Sequence, residues 1–303
     1  MIKFIIIYCV LLFALEAAAN PLSMQEIVPG VHVHYGAHED LDKGYHGDIC
    51  NIGFIVGKKG VAVVDTGGSL QVGNELREAI RKVTELPILY VVNTHVHPDH
   101  IFGNAAFKLD QPVYIGHATL PEAMEQRRDG YMRNNTAWMG DAFAGSEIVK
   151  PAQTVVNTLE IDLGGRPLLM TAYPTGHSSS DITVLDTASA TLWSGDILFV
   201  ERTPSIDGDI KGWLKVIDQL RLVKAQRVIP GHGTVAEDWQ AALDKEQHYL
   251  ETLLGDIRTS IEKGEPMEQA MNTAAASEKG KWVLFEIVNR RNVNLIFPSL
   301  EWE

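Results

Sequence analysis

Four side chains able to hold a metal ion or move a proton fall within six residues of this chain: His95, His97, Asp99 and His100 in THVHPDH. On an extended segment residues i and i+2 point the same way, so His95 and His97 can face one site together. Pro98 then restricts the backbone, and Asp99 and His100 follow in what reads as the first turn of a helix over 99–107. Imidazole and carboxylate both suit a transition ion such as zinc, so metal-assisted chemistry is the natural expectation. The competing reading is a histidine-rich surface loop that binds nothing.

Three distant positions argue against that reading. His177 in PTGHSSSD, Asp196 in WSGD and His232 in PGHG each follow an apolar run that reads as a strand, over 168–173, 190–193 and 227–229. A glycine beside each lets the backbone approach closely. Taken singly, each is a common turn or cap. With THVHPDH they make a set of five histidines and two aspartates.

The elements that must position this set can be read from hydrophobic period. Strands are expected over 51–56 and 60–64 around the turn 57–60, then a helix over 69–83 with Leu70, Val72, Leu76, Ile80 and Val83 at mostly helical spacing. A strand over 86–93 delivers the histidine loop. Asp65, at a strand end before Thr66-Gly67-Gly68, reads as a cap or as a group that holds a ligand histidine. Further strands are expected over 111–116, 155–159, 168–173, 182–185 and 190–193, with helices over 118–135, 211–222, 236–262 and 266–276. The stretch 282–296 is mixed. His32 and His34 alternate with valines and read as strand residues on an outer face. Arg127 and Arg128 read as a solvated helix face, and the loops 36–48 and 199–212 as the entrance to a site, with Arg202 a candidate anion contact.

The chain has 303 residues, 45% of them hydrophobic, and no linker-like stretch divides it, so one domain over 20–303 with a helical C-terminal extension is expected. A formal net charge of -13 disfavours nucleic acid as a partner and leaves a small-molecule substrate. Lys3, the apolar run 4–15 and Ala17-Ala18-Ala19 form a signal-peptide pattern, which predicts cleavage before Asn20, export to a bacterial periplasm and no membrane span afterwards. The apolar run is shorter than the ~18 residues a bilayer span takes. An uncleaved anchor is the alternative. Cys9 leaves with this segment, and Cys50 reads as a small buried hydrophobe.

With Asp65 in VVDTGG, HVHPDH, His177, Asp196 and His232 in this order, the chain resembles the metallo-β-lactamase superfamily, and most of all its exported SoxH-like branch of zinc hydrolases associated with quinoprotein systems. The resemblance implies an α+β fold, an αββα four-layer sandwich with the site at one edge between two sheets. It implies two zinc ions, with iron or manganese as other possibilities: one at His95, His97 and His177, a second at Asp99, His100 and His232, and Asp196 bridging both. About 3.5–4 Å apart, two such ions clamp a hydroxide whose parent water falls from pKa 15.7 to about 7. The implied activity is hydrolysis of an ester, thioester, lactone or amide, with Asp99 as proton shuttle. Aspartate at position 196 resembles glyoxalase II-like hydrolases, whereas the β-lactamases proper have cysteine or serine there, so lactamase activity is expected to be weaker. A metal-dependent accessory role in quinoprotein or sulfur oxidation is the alternative. A serine triad built on Ser178 to Ser180 fails for want of a G-x-S-x-G elbow.

Overall fold

Short valine- and isoleucine-rich runs build the first sheet. The computed structural model describes residues 22–42 and 44–303; the segment that reads as a signal peptide lies outside them. Strands β1 (Gln25–Val28), β2 (Val31–His34), β3 (Ile52–Val56) and β4 (Val61–Val64) pair antiparallel, and β5 (Ile88–Val92) adds parallel to β4. Between β4 and β5 runs α1 (Leu70–Val83), capped by the Ser69 hydroxyl, which accepts from Val72 N–H. His32 is 8% exposed and stacks on Phe54, and His34 bonds Asp48 and the Ser23 carbonyl. Neither histidine is part of the metal-ligand set.

Beyond β5 the structure departs from the expected helix over 99–107. Pro98 opens a single α-helical turn, α2 (Pro98–Ile101), which tightens at once into a 3₁₀ helix, Phe102–Asp110. Gly103 explains the change: a Cβ there would lie 1.9 Å from the Thr66 carbonyl oxygen, and its own N–H donates to Gly67 O at 2.9 Å. Backbone packs directly on backbone at this point, which fixes the histidine loop against the β4–α1 turn.

β6 (Val113–His117) follows, then α3 (Leu120–Met139), longer than the 118–135 expected. The predicted strand over 155–159 is in fact two. β7 (Gln153–Val155) closes the first sheet and β8 (Thr158–Asp162) opens the second, with Val156, 70% exposed, in the crossover. β9 (Pro167–Ala172), β10 (Ile182–Asp186) and β11 (Thr191–Phe199) continue antiparallel. Helix α4 (Ile210–Leu220) carries the chain to β12 (Arg227–His232), parallel to β11. β11 does not stop at 193 as expected. It runs on to Phe199 through a register shift at Gly195, where φ is 53° and an added Cβ would lie 2.6 Å from Thr94 Cβ, leaving no room for a side chain.

Three apolar layers hold these parts together. Val31, Val33, Val64 and Val92 meet Leu168, Met170, Val184 and Ile229 between the sheets. α1 covers the outer face of the first sheet through Val72, Leu76 and Ile80. On the second sheet, Trp213 and Val216 of α4 pack with Leu250 and Leu253 of α5 (Trp239–Glu262). Full burial of such side chains contributes about 1.5–3 kcal/mol each. The result is the expected α+β, helix–sheet–sheet–helix sandwich. After α6 (Met267–Thr273), the stretch that reads as mixed is a helix, α7 (Phe285–Leu300), with Phe285, Val293 and Phe297 in the same core as Trp213. Among the described residues no helix is long and apolar enough to cross a membrane.

Candidate metal centre

All seven residues singled out in the sequence come together at one edge between the sheets. His95 and His97 leave the end of β5 and Asp99 and His100 lie in α2. His177 follows β9, Asp196 sits just past the irregularity in β11, and His232 ends β12. Asp196 and His232 therefore belong to strands, not to loops after them. The inner nitrogens His95 Nε2, His97 Nδ1 and His177 Nε2 converge, with His97 Nδ1 at 3.0 and 2.9 Å from the other two. Asp196 Oδ2 is 3.6, 3.4 and 3.4 Å from the Nε2 atoms of His95, His177 and His232. Its Oδ1 is 3.3 Å from His100 Nε2. Asp99 Oδ2 stands 3.5 Å from Nε2 of both His100 and His232.

Each imidazole is oriented by its outer nitrogen. His177 Nδ1 bonds Ser205 O at 2.8 Å and His232 Nδ1 bonds Ile49 O at 2.7 Å. His97 Nε2 bonds Asp207 at 3.1 Å, and His100 Nδ1 bonds Asp65 at 2.8 Å. The Thr94 hydroxyl donates to Asp65, so it accepts from His95 Nδ1 at 3.0 Å. With the outer nitrogens committed as donors, the inner lone pairs of all five rings are free to coordinate. Asp65 thus holds a ligand histidine, as its position suggested, and its backbone is left-handed, φ 53°.

The donors fit a cation on two grounds. His100 Nε2 and Asp196 Oδ1 are buried and have no hydrogen-bond partner, and leaving such groups unsatisfied is costly. The charge states also suit ligands. Burial lowers His177 to about 3, and burial and the neighbouring His100 hold His95 well below its ordinary value. Asp196 stays ionised: burial opposes its charge, but His232, His100, His95 and His177 outweigh it. His100 goes the other way. Burial opposes its protonation, yet the carboxylates Asp196, Asp99 and Asp65 around it favour a positive charge, a place a metal cation can take.

Two further residues were not legible in the sequence. Asp207, after β11, bonds both His97 and Arg127, the latter at 2.7 Å. Burial opposes its ionisation, but His97 and Arg127 hold its carboxyl well below the usual range. Arg127 is therefore not part of a solvated face, although its neighbour Arg128 is, pairing with Glu125. The serines of PTGHSSSD only shape their loop: Ser178 caps onto Asp181, whose pKa burial raises to about 7. Cys50 is buried as expected, but it packs beside the centre, with its thiol donating to Asp99 O and its pKa pushed by burial to about 12. A cavity of about 360 Å³ opens onto Asp99, Asp196 and His232, and the loops 36–48 and 199–212 contribute to its walls.

Comparison with known proteins places this geometry. A linear primary-alkylsulfatase of Pseudomonas sp. (strain ATCC 19151) is 25% identical over 211 residues, 58% of this chain. The chain spans 40% of that relative's length. Among solved structures, a metallo-beta-lactamase from Pontibacter korlensis superposes with a TM-score of 0.59 at 20% identity, over 76% of this chain and 99% of its own. The mono-zinc FIM-1 enzyme of Pseudomonas aeruginosa gives 0.59 at 19%, over 78% and 97%. The sec-alkyl sulfatase PisA1 gives 0.70 at 16%, over 93% of this chain and 51% of its own. Residues 46–232, more than half of the chain, match the metallo-beta-lactamase superfamily, so the protein belongs to that superfamily.

Proposed function

We propose that the protein is an exported binuclear zinc hydrolase that cleaves an ester-type bond of a small molecule. One observation carries the reading: Asp196 belongs to two ligand groups at once, with His95, His97 and His177 on one side and His100 and His232 on the other. Seven donors are too many for one tetrahedral ion. When bound, a zinc pair supplies a strong nucleophile from water near neutral pH and polarises the oxygen of the scissile group. The chain's own residues do the rest. Asp196 is the shared carboxylate, the five outer hydrogen bonds hold the rings, and Asp99, on the cavity wall, takes and returns the proton.

Esters, thioesters, lactones and amides fit this chemistry. A sulfate ester is the second reading, favoured by the alkylsulfatase likeness and by PisA1, which superposes over 93% of this chain. The test is a hydrolysis panel across these bonds and β-lactams on metal-quantified protein. Two zinc ions per chain and turnover of at least one class are expected. At most one tightly held metal under zinc-replete conditions removes the binuclear scheme.

A further inference from the structure

We propose that the substrate carries an oxyanion and that Arg202 is the residue that recognises it, an inference that rests on the hydrolase reading and narrows its substrate class. Three guanidinium groups line the cavity that opens onto Asp99 and Asp196. Two of them are already neutralised: Arg127 by Asp207 at 2.7 Å, and Arg291 by Asp40 at 2.5 and 2.9 Å. Arg202 differs. It is only 6% exposed, and its side chain makes one hydrogen bond, to the carbonyl oxygen of Glu39 at 2.8 Å. No carboxylate pairs with it among the described residues.

A guanidinium offers five N–H donors and cannot shed its charge at accessible pH. Burying it without a countercharge costs several kcal/mol, so a fold that keeps it at a cavity wall has a use for that charge. A ligand carboxylate, sulfate or phosphate supplies the missing partner through paired, charge-assisted hydrogen bonds.

The backbone holds Arg202 in place from two sides. Its own N–H donates to Val200 O, and the strand-like bridge to Val283 is fixed by Val283 N–H to Glu201 O and Thr203 N–H to Val283 O. The position of this charge is thus set by the segment before α7, which lies outside the part of the chain that matches the family. Leu41, Trp138 and Leu295 also line the cavity and give it apolar surface. The complementary ligand is an anion on an apolar body.

Calorimetric titration of the metal-loaded protein tests this with octanesulfonate, octanoate, octylphosphonate and neutral 1-octanol as probes. At least one anionic probe should bind more tightly than octanol, and Arg202→Gln should weaken that probe about 10- to 100-fold, the scale of a lost charge-assisted pair. Metal content and melting temperature serve as controls for both variants. Arg202→Lys, which keeps the charge without the fork, should recover part of the loss and keeps the test alive if Arg202→Gln does not fold. The rank of the three anions tells which oxyanion the site prefers. Equal affinity of wild type and Arg202→Gln for every anion overturns the proposal, even if neutral esters are hydrolysed. Arg202-dependent binding with no turnover of any class leaves the proposal standing and removes the hydrolase reading.

Discussion

Asp99 and Asp196 stand in one cavity wall but have different surroundings, and that difference predicts different phenotypes. Asp196 is within 3.6 Å of four histidine nitrogens. Asp196→Ala should therefore lower metal content as well as rate, read by elemental analysis beside kcat. Asp99 is near two. Asp99→Asn keeps shape and a carbonyl ligand, so it should lose kcat by about 10²-fold or more with a smaller fall in occupancy. Near-wild-type turnover with full metal would show that Asp99 does not carry the proton. Asp207→Asn acts one step further out, through His97, and should weaken metal affinity by about 10- to 100-fold in a competition titration with a chelator. The candidate ligands were legible because their types are distinctive and four of them fall within six residues. Apart from Asp65, their supports were not: Ser205 and Ile49 hold histidines through main-chain carbonyls, which every residue has. Asp207 is 110 residues from the ring it orients.

Elements were legible where period and punctuation agree and illegible where the chain leaves its period without a polar break. Glycine at 195 reads as the end of a strand, yet β11 passes through it as an irregularity and delivers Asp196 from inside the sheet. Val155 and Val156 read as one strand interior, yet the chain changes sheets between β7 and β8. α5 carries a further surprise. Its Glu246 is fully buried and accepts from Phe199 N–H at the end of β11, while the second carboxyl oxygen has no partner. Burial raises its pKa well above the usual value, with Asp196 adding to the shift. A raised folded-state pKa means stability that is complete below the unfolded value near 4.5 and is lost as pH rises beyond it. Glu246→Gln should therefore flatten the decline of melting temperature as pH rises above about 4.5, relative to wild type. Parallel curves for the two proteins would show that Glu246 does not titrate in this way.

For the molecule as a whole, the α+β sandwich was implied by the family resemblance and fits the strand and helix order, but the role of the C-terminal helices was not legible. The stretch 282–296, most of α7, reads as mixed because Asn289, Asn292 and Asn294 interrupt its apolar spacing. Two of these asparagines serve inside: Asn292 bonds Pro204 O, Ile206 N–H and Tyr249, and Asn289 bonds Tyr249 and Ala274 O. The helix thereby ties down the 199–212 loop, and Arg291 reaches over to Asp40 on the 36–48 loop. Arg291→Ala removes a half-exposed ion pair, so stability should change by no more than about 1 kcal/mol in a denaturant titration. KM should rise with kcat little altered, because the loop that pair holds borders the cavity and not the reacting atoms. For localisation, we propose export, and N-terminal sequencing of the secreted product should find Asn20 first. An intact Met1 on a membrane-held product would support the anchor.

The candidate ligands are divided between the two sheets: His95, His97, Asp99 and His100 hang from the first, His177, Asp196 and His232 from the second. A cation bound there spans the seam, so its binding free energy resists any motion that prises the layers apart. At a thousand times its dissociation constant a ligand of the folded state adds about 4 kcal/mol. Without it, imidazoles and carboxylates at the edge no longer have a common charge to hold, and the sandwich should breathe from that edge first. Deuterium uptake after chelation should accordingly rise at the His95–His100 turn and at the adjoining ends of β11 and β12, while the β3–β4 pairing at the centre of the first sheet stays protected. The metal, on this view, is a hinge pin as much as a reagent.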